Sequence, residues 1–473
     1  MLFNSLGFAF FFPIVTLGYF LLPYRFRWLW LLLASCIFYM AAIPVYILVL
    51  FFLILIDYTA GIFIEKSTGG TRKGFLVMSL AANIGILGFF KYYNFFNVNL
   101  SALAHFIGWN YSMKTLNLLL PIGLSFHTFQ AMAYTIEVYR GNQKAERHFG
   151  IYALYVMFFP QLVAGPIERP YNLIHQFYEQ HDFDYGRVTD GLRLMAWGLF
   201  KKVVIADRLA LFVRPVYANP TEYHGLTLSL ATFFFAFQIY CDFSGYSDMA
   251  IGAARVLGFR LMKNFNSPYL ATSISEFWKR WHISLSTWFR DYLYIPLGGN
   301  RVSLDRLCFN LMVVFLISGF WHGANWTFII WGALHGFYYV SSVLTKRLFL
   351  KSPEFLATAI TFSLVCFAWI FFRAESMADG CYIATHLFSG LSGLTSVAAI
   401  KEIFQPFFYF ENAKIYFVVT LGLIFCLEWM ERTHFGFLQK KPTFVRWAAY
   451  YALIFVIIVF GRFDTSKFIY FQF

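Results

Sequence analysis

The sequence predicts an all-α integral membrane protein, and three observations support this fold class. Of the 473 residues, 59% are hydrophobic and only 13% are charged, whereas soluble domains carry roughly 25% charged residues. The mean hydropathy is +0.60. Apolar runs of about 20 residues recur along the chain, as helices that cross a bilayer require. We therefore expect one membrane domain over residues 1–473, a bundle of about 10–12 transmembrane helices with re-entrant segments and interfacial helices.

The basic residues lie mostly in short loops between apolar runs. The chain has 37 Lys and Arg against 24 Asp and Glu, which gives a formal net charge of +13. A nucleic-acid-binding protein would concentrate such charge on a polar domain, and this chain has no such domain. By the positive-inside bias, the loops that carry Arg25 and Arg27, and Lys66 and Arg72, face the cytoplasm and its anionic lipid. This places the N-terminus outside.

Apolar runs bounded by charged or polar loops predict the individual spans. The segment Lys91–Lys114 is polar and rich in Asn, and we expect it to be an outer loop. The predicted spans lie at about Leu6–Leu22, Trp28–Ala42, Tyr46–Phe63, Phe75–Phe90, Leu226–Ile239, Phe355–Phe372, Ile415–Trp429 and Val445–Phe460.

Other segments depart from a smooth apolar helix. Residues 117–140 have Pro and Gly near their start and predict a helix packed inside the bundle, with His127 as a structural residue. The prolines within 151–173 predict a broken or re-entrant segment. Gly191–Val213 mixes charged and apolar residues and predicts a helix in the cytoplasmic interface. The two carboxylates within 242–248 predict a polar turn at the membrane edge.

The stretch Trp278–His335 concentrates the residues that could carry chemistry. Titratable groups in apolar surroundings are costly, and we interpret them as functional. At 100° per residue, the first part predicts one amphipathic helix whose cations meet the phosphates of lipid or of an anionic cytosolic donor. His282 lies at the margin of its aromatic face. That face holds Trp278, Trp281, Leu285, Trp288 and Phe289, and the opposite face holds Lys279, Arg280 and Arg290.

His322 ends the apolar run Leu311–Trp321 and precedes Gly323 and Asn325. Apolar surroundings favour the neutral imidazole, which can accept a proton from a hydroxyl group or attack an acyl donor. On one continuous helix, His335 would point almost the opposite way, so the two histidines share a site only if the helix breaks at Gly323. We expect His335 to be a hydrogen-bonded core residue.

The runs SISEFWKRWHISLSTWFRDYLYIPLGGNR and SGFWHGANWTFIIWGALHG resemble the membrane-bound O-acyltransferase (MBOAT) superfamily. The resemblance is to the bacterial branch that O-acetylates secreted and cell-wall polysaccharides such as alginate and peptidoglycan. The motifs LPIGLSFHTFQ, FPQLVAGPIERP, YCDFSGYSDMAIG, KNFNSPY and FIYFQF extend it over nearly the whole chain, with a motif-rich core at about 116–345.

The resemblance implies a multi-helix fold around a tunnel, in the bacterial plasma (inner) membrane. It assigns the catalytic role to His322 of FWHGAN, while His282 of WHISLS would position the donor thioester or assist proton transfer. The implied donor is cytosolic acetyl-CoA, without a metal. The implied partners are membrane lipid, an extracytoplasmic SGNH-like acetyltransferase and a polysaccharide acceptor, with alginate as first choice. Candidate donor-binding residues are Lys279, Arg280, Arg290 and Asn325.

Two other functions stay open at this point. A sister branch transfers D-alanine from a carrier protein to teichoic acid and shares both histidine motifs, although FIYFQF and LGGNR resemble the acetylating branch more. Dependence on acetyl-CoA separates the two. A polysaccharide or acyl-group transporter would show symmetric broken spans in two halves, and no such repeat is visible. Normal substrate movement after His322→Ala would favour the transporter.

Overall fold

The structure is a computed structural model of the chain. It describes residues 1–116, 119–163, 165–223, 225–345, 353–389, 401, 403–409, 413–433, 441–463 and 469. Within these ranges the regular secondary structure is helical throughout, which confirms the all-α fold class. The FIYFQF motif lies outside the described residues, apart from Ile469.

The chain divides into two compact units, Met1–Met195 with Ser247–Lys263 and Ala196–Tyr246 with Asn264–Phe473, and the division falls within two helices, Tyr185–Phe200 and Leu226–Leu257. The expectation of a single membrane domain stays a prediction. The other α-helices of the first unit are Leu6–Leu21, Tyr24–Met40, Ile47–Lys66, Gly69–Leu87, Tyr93–Phe106, Leu124–Arg140, Phe149–Met157 and Pro170–Leu173.

The first unit contains a buried polar cluster between helices Ile47–Lys66 and Gly69–Leu87. The carboxylate of Asp57 accepts hydrogen bonds from Ser79 Oγ at 2.6 Å and from Asn83 Nδ2 at 2.9 Å. All three side chains are fully buried. Because a buried polar group without a partner is costly, these bonds fix how the two helices face each other.

The second unit carries the motif-rich stretch. Its α-helices are Asp207–Ala218, Ile274–Arg280, Ile283–Phe289, Leu304–His322, Trp326–Leu344, Glu354–Arg373, Met377–His386, Ala413–Thr433 and Thr443–Phe460. Single π-helical segments cover Gly88–Tyr92 in the first unit, and Lys201–Ala206 and Arg290–Tyr294 in the second. Such π-segments occur frequently at functional sites.

Seven helices in the described ranges are long and apolar enough to cross a membrane, fewer than the 10–12 spans that we expected. The difference arises partly because two predicted spans form helices of only 16 and 17 residues, Leu6–Leu21 and Tyr24–Met40. The seven are Pro44–Lys66, Gly69–Phe106, Leu226–Leu257, Leu304–His322, Trp326–Leu344, Glu354–Arg373 and Thr443–Phe460.

Three local predictions were wrong. Much of the expected outer loop Lys91–Lys114 is the helix Tyr93–Phe106. The expected polar turn at 242–248 lies inside the continuous helix Leu226–Leu257. The expected interfacial helix Gly191–Val213 is interrupted by a π-segment whose lysines are almost fully buried. The last two predictions were wrong for one reason: Lys202 and Asp242, each in an apolar run, form an ion pair inside the protein.

The break predicted within 151–173 is confirmed. The helix Phe149–Met157 ends, and the described residues between it and Pro170 (158–163 and 165–169) are not helical. The fully buried Glu168 accepts a hydrogen bond from the backbone N–H of Met262, and Gln176 Nε2 donates to the carbonyl of Arg260 at 3.0 Å. These contacts satisfy backbone groups of the non-helical segment that follows helix Leu226–Leu257 and attach that segment to the region of the break.

Helices Leu304–His322 and Trp326–Leu344 form a closely packed hairpin. A Cβ on Gly319 would lie 3.2 Å from the Cα of Gly332 and would also collide with the carbonyl of Phe328. Small residues allow backbones in membranes to approach this closely. The hairpin turns at Gly323, directly after His322, and Asn325 caps its second helix.

Candidate active site

His282 lies at a break between two short helices, which corrects the prediction of one amphipathic helix. The first helix ends at Arg280, the second begins at Ile283, and His282 has a φ of 43°. Residues with a Cβ avoid this left-handed region, and such strain persists only where the surrounding structure imposes it. The five predicted aromatic-face residues are nevertheless buried, because each short helix keeps the local periodicity.

The imidazole of His282 is enclosed by protein. It is fully buried, and its ring centroid lies 4.6 Å from that of Phe243 in an edge-to-face arrangement. Burial lowers the pKa of His282 to about 3. The ring is therefore neutral near pH 7 and can accept a hydrogen bond or a proton within an acyl-transfer step.

His322 lies at the C-terminal end of helix Leu304–His322 and is 4% exposed. Three aromatic rings surround it, with centroids 4.9 Å away for Trp321, 5.0 Å for Trp331 and 5.5 Å for Phe372. An imidazole among aromatic rings is shielded from water. This is the environment in which a reactive acyl group can be held without hydrolysis.

The helix breaks at Gly323, so His335 returns to the same region instead of pointing away from it. Its ring centroid lies 5.0 Å from that of Trp331, the residue that also contacts His322. Trp278 Nε1 donates a hydrogen bond to His335 Nδ1 at 3.3 Å, and His335 is fully buried. This confirms that His335 is a hydrogen-bonded core residue. Because Nδ1 accepts, the neutral ring carries its proton on Nε2.

A continuous series of aromatic rings connects the two histidine motifs within the second unit. Trp281, next to His282, lies 5.1 Å from Trp369, measured between ring centroids. Trp369 stacks on Trp331 at 5.8 Å, and Trp331 contacts His322. The two motifs are far apart in sequence, and these rings join them into one apolar wall.

The predicted donor-binding cations differ in how they are held. Lys279 and Arg290 are exposed, and Arg280 is half-buried. Arg280 Nη2 lies 2.6 Å from Glu276 Oε1, and Arg290 Nε lies 2.8 Å from Asp291 Oδ1. Since exposed ion pairs are weak, a phosphate could displace these carboxylates.

Asn325 has a structural task in the hairpin. Its Oδ1 accepts a hydrogen bond from the N–H of Thr327 at 3.1 Å, and its Nδ2 donates to the carbonyl of Glu375 at 3.2 Å. This is the geometry of a helix N-cap. Donor binding by Asn325 stays a prediction.

Our sequence reasoning missed a buried charged group on the π-segment. Lys202 Nζ lies 2.8 Å from Asp207 Oδ1 and 2.5 Å from Asp242 Oδ1, and all three residues are at most 3% exposed. Burial acts to lower the pKa of Lys202, but Asp242 and Asp207 outweigh this effect and raise it. Asp242 immediately precedes Phe243, the ring that contacts His282. The sequence signal that could have indicated this group is a lysine and two carboxylates within apolar runs.

The residue types of the site suit acyl transfer. Two buried imidazoles can act as base or nucleophile, and an aromatic wall excludes water. Among the residues that the structure describes, no group of three or more His, Cys, Asp and Glu side chains is placed to hold a metal ion.

Comparison with known proteins points in the same direction. The profile of the MBOAT, membrane-bound O-acyltransferase family matches residues 148–378. The chain is 40% identical over 435 residues to the "Peptidoglycan O-acetyltransferase" of Helicobacter pylori, covering 84% of this chain and 81% of the relative. It is 42% identical over 384 residues to the "Probable alginate O-acetylase AlgI" of Pseudomonas aeruginosa, covering 80% and 73%.

A more distant similarity reaches the sister branch. The chain is 30% identical over 235 residues to the "Teichoic acid D-alanyltransferase" of Streptococcus thermophilus, which covers 47% of this chain and 56% of the relative. Together, the matching profile, the long alignments at 40% identity or more and the apolar helices lead to one conclusion: the chain belongs to the membrane-bound O-acyltransferase family.

Proposed function

We propose that the protein is an O-acetyltransferase that moves acetyl groups from cytosolic acetyl-CoA across the bacterial inner membrane for O-acetylation of a secreted or cell-wall polysaccharide. The observation that carries the proposal is His322, buried among three aromatic rings at the end of an apolar helix. The two relatives with about 40% identity, named for peptidoglycan and alginate, support the acetyl group and the polymer class.

In this proposal His322 acts as base or nucleophile. As a base, it removes the proton of the acceptor hydroxyl while the oxygen attacks the thioester carbonyl. As a nucleophile, its nitrogen attacks the carbonyl and carries the acetyl group. In both cases the carbon–sulfur bond breaks, and the CoA thiolate leaves and takes up a proton. The neutral His282 positions the thioester or assists proton transfer.

The cationic residues support a donor with phosphates. Lys279 is exposed, and the carboxylate partners of Arg280 and Arg290 lie on the surface, where a phosphate can replace them. We assign the acceptor side to an extracytoplasmic SGNH-like partner that passes the acetyl group to the polymer. Alginate is the first choice of polymer, and peptidoglycan is the second.

The test is acetyl transfer from labelled acetyl-CoA in membrane vesicles whose cytosolic face is accessible. We expect transfer with the wild type and loss of at least about a hundredfold with His322→Ala, since the group acts in the transition state. His105→Ala is the matched control, because His105 is an exposed histidine on helix Tyr93–Phe106. Size-exclusion profiles of the solubilised variants check that they fold.

The other outcomes separate the alternatives. Transfer by His322→Ala at the wild-type rate removes His322 from the mechanism. Transfer by the wild type from a D-alanyl carrier protein and not from acetyl-CoA favours the teichoic acid reaction, which the 30% identical relative supports. Movement of a polymer or acyl compound that persists in His322→Ala favours a transporter. Activity only after adding the extracytoplasmic partner supports the two-component route.

A further inference from the structure

The strained turn at His282 is held by a segment that precedes it by some twenty residues, within the motif KNFNSPY. The carbonyl of Asn264 accepts a hydrogen bond from the N–H of Ile283 at 2.9 Å. The N–H of Asn266 donates to the carbonyl of Arg280, also at 2.9 Å. The residues on both sides of Trp281 and His282 are therefore bound to one short segment.

The side chain of Asn264 adds a second attachment on the same side. Its Oδ1 accepts a hydrogen bond from Ser284 Oγ at 2.7 Å and lies 3.3 Å from the backbone N–H of Ser284. A backbone N–H can only donate, so the amide atom that faces it must be the oxygen. Turning the amide by 180° would place two donors against each other. The orientation of the side chain is thus fixed.

This orientation leaves the amide nitrogen facing away from Ser284. Asn264 is 1% exposed, and in the described part of the chain its Nδ2 has no hydrogen-bond partner. An NH₂ group offers two donors, and burying it without an acceptor is unfavourable. Such a group in a native protein calls for an explanation, and an acceptor supplied by a bound substrate is one.

Asn264 adjoins a group of aromatic rings in the chain. Its neighbour Phe265 lies 5.0 Å from Phe243 between ring centroids, and Phe243 contacts the ring of His282 at 4.6 Å. Phe265 also packs on Trp281 at 5.1 Å. A lone donor beside these rings acts in a medium of low polarity, where a hydrogen bond to a developing charge is strong.

We propose that Asn264 Nδ2 donates a hydrogen bond to the carbonyl oxygen of the donor thioester. This inference rests on the proposed acyl transfer. When a nucleophile attacks the carbonyl carbon, the oxygen gains negative charge, and the hydrogen bond that Nδ2 donates to it shortens and stabilises this charge. The oxyanion then reforms the carbonyl, the carbon–sulfur bond breaks, and the thiolate leaves and is protonated. Asn264 would therefore be a catalytic residue as well as a support for the His282 turn.

The variant Asn264→Asp separates these two roles. Aspartate keeps an oxygen for the N–H of Ser284 and, in its ionised form, offers no donor, so the variant is assayed at the highest pH at which the wild type is active. We expect kcat to fall about a hundredfold to a thousandfold, as for loss of a single oxyanion donor, when it is measured at a temperature well below the Tm, which the buried carboxyl group lowers. Ser284→Ala removes one support and keeps the nitrogen, and we expect it to retain kcat within about threefold. Equal losses in both variants, or wild-type kcat in Asn264→Asp, would overturn the proposal.

A binding experiment gives a readout that does not depend on turnover. S-acetonyl-CoA carries a carbonyl that cannot be cleaved off, and S-ethyl-CoA carries none. We expect the wild type to bind the acetonyl compound about threefold to tenfold more tightly, the usual effect of one neutral hydrogen bond. Asn264→Asp should lose this preference, and a preserved preference would contradict the role of Nδ2.

The same experiment distinguishes failure of the inference from failure of the proposed function. A wild type that binds neither CoA compound rules out acetyl-CoA as donor. The two substitutions are then measured with a D-alanyl carrier protein, whose reacting group is also a thioester carbonyl. A selective loss of kcat in Asn264→Asp supports the donor role there as well, and an unchanged kcat overturns it.

Discussion

The substitution Gly245→Ala, which adds one methyl group, should disturb the candidate active site although Gly245 contacts neither His282 nor His322 in the described contacts. It lies on helix Leu226–Leu257, where a Cβ would be 2.6 Å from the carbonyl oxygen of Gly198 and 3.2 Å from the backbone nitrogen of Lys202. Ordinary contact begins at 3.4 Å, so Gly245→Ala must separate these backbones by about 0.8 Å. Neither obstacle is a flexible side-chain end that could move aside.

The displacement would reach His282 through two contacts. The same helix carries Asp242, which pairs with Lys202, and Phe243, whose ring packs on His282. Overpacking of this kind costs about 1–3 kcal/mol of stability. Because a misplacement of about 1 Å can lower the rate about a hundredfold, we expect Gly245→Ala to reduce acetyl transfer about tenfold to a hundredfold.

Gly252→Ala is the matched control for stability. On the same helix but further from Phe243 in sequence, its Cβ would be 2.6 Å from the carbonyl oxygen of Gly191 and 3.0 Å from the backbone nitrogen of Met195, so the collision is at least as severe. Gly422→Ala controls for the substitution itself, since nothing lies within 4 Å of its Cβ. Thermal unfolding and acetyl transfer are measured for all three. Equal activity in Gly245→Ala and Gly252→Ala at equal stability would refute the coupling to His282.

Three further outcomes are expected. Burial lowers the pKa of His282 from 6.5 to about 3, so the wild type should lose stability as the pH falls below 6.5. The loss relative to His282→Gln should reach about 1.4 kcal/mol per pH unit. Tm curves of the wild type and His282→Gln that run parallel from pH 7 to 4 would contradict this. Lys202→Met leaves the carboxylates of Asp207 and Asp242 buried without their cation, and the variant should lose about 3–5 kcal/mol of unfolding free energy and have a lower Tm. A Tm equal to that of the wild type would show that the ion pairs of Lys202 do not stabilise the protein. Arg290→Gln should raise KM for acetyl-CoA about fivefold to tenfold with kcat unchanged if it contacts a phosphate, whereas the exposed Arg306→Gln should not.

Local patterns in the sequence were sufficient for the fold class and for the division between buried and exposed residues. Composition and apolar run length require helices in a bilayer, because backbone groups must be satisfied within each segment. The aromatic face of the stretch after Trp278 was correctly assigned to the interior, since side-chain direction follows from neighbouring residues only. The break at Gly323 was recognised as the condition for bringing His322 and His335 together, and the structure has it.

The site itself depended on contacts between residues far apart in the chain. The helix that we expected at His282 is broken because the segment at Asn264 binds the backbone on both sides of the turn. The polar turn that we expected at Asp242 is absent because Lys202, forty residues earlier, neutralises the carboxylate inside the protein. From the sequence alone, a charged residue in an apolar run is interpreted as exposed, because its oppositely charged partner is not known. Only packing in three dimensions supplies that partner, because the energy of a buried ion pair belongs to the pair and to neither residue alone.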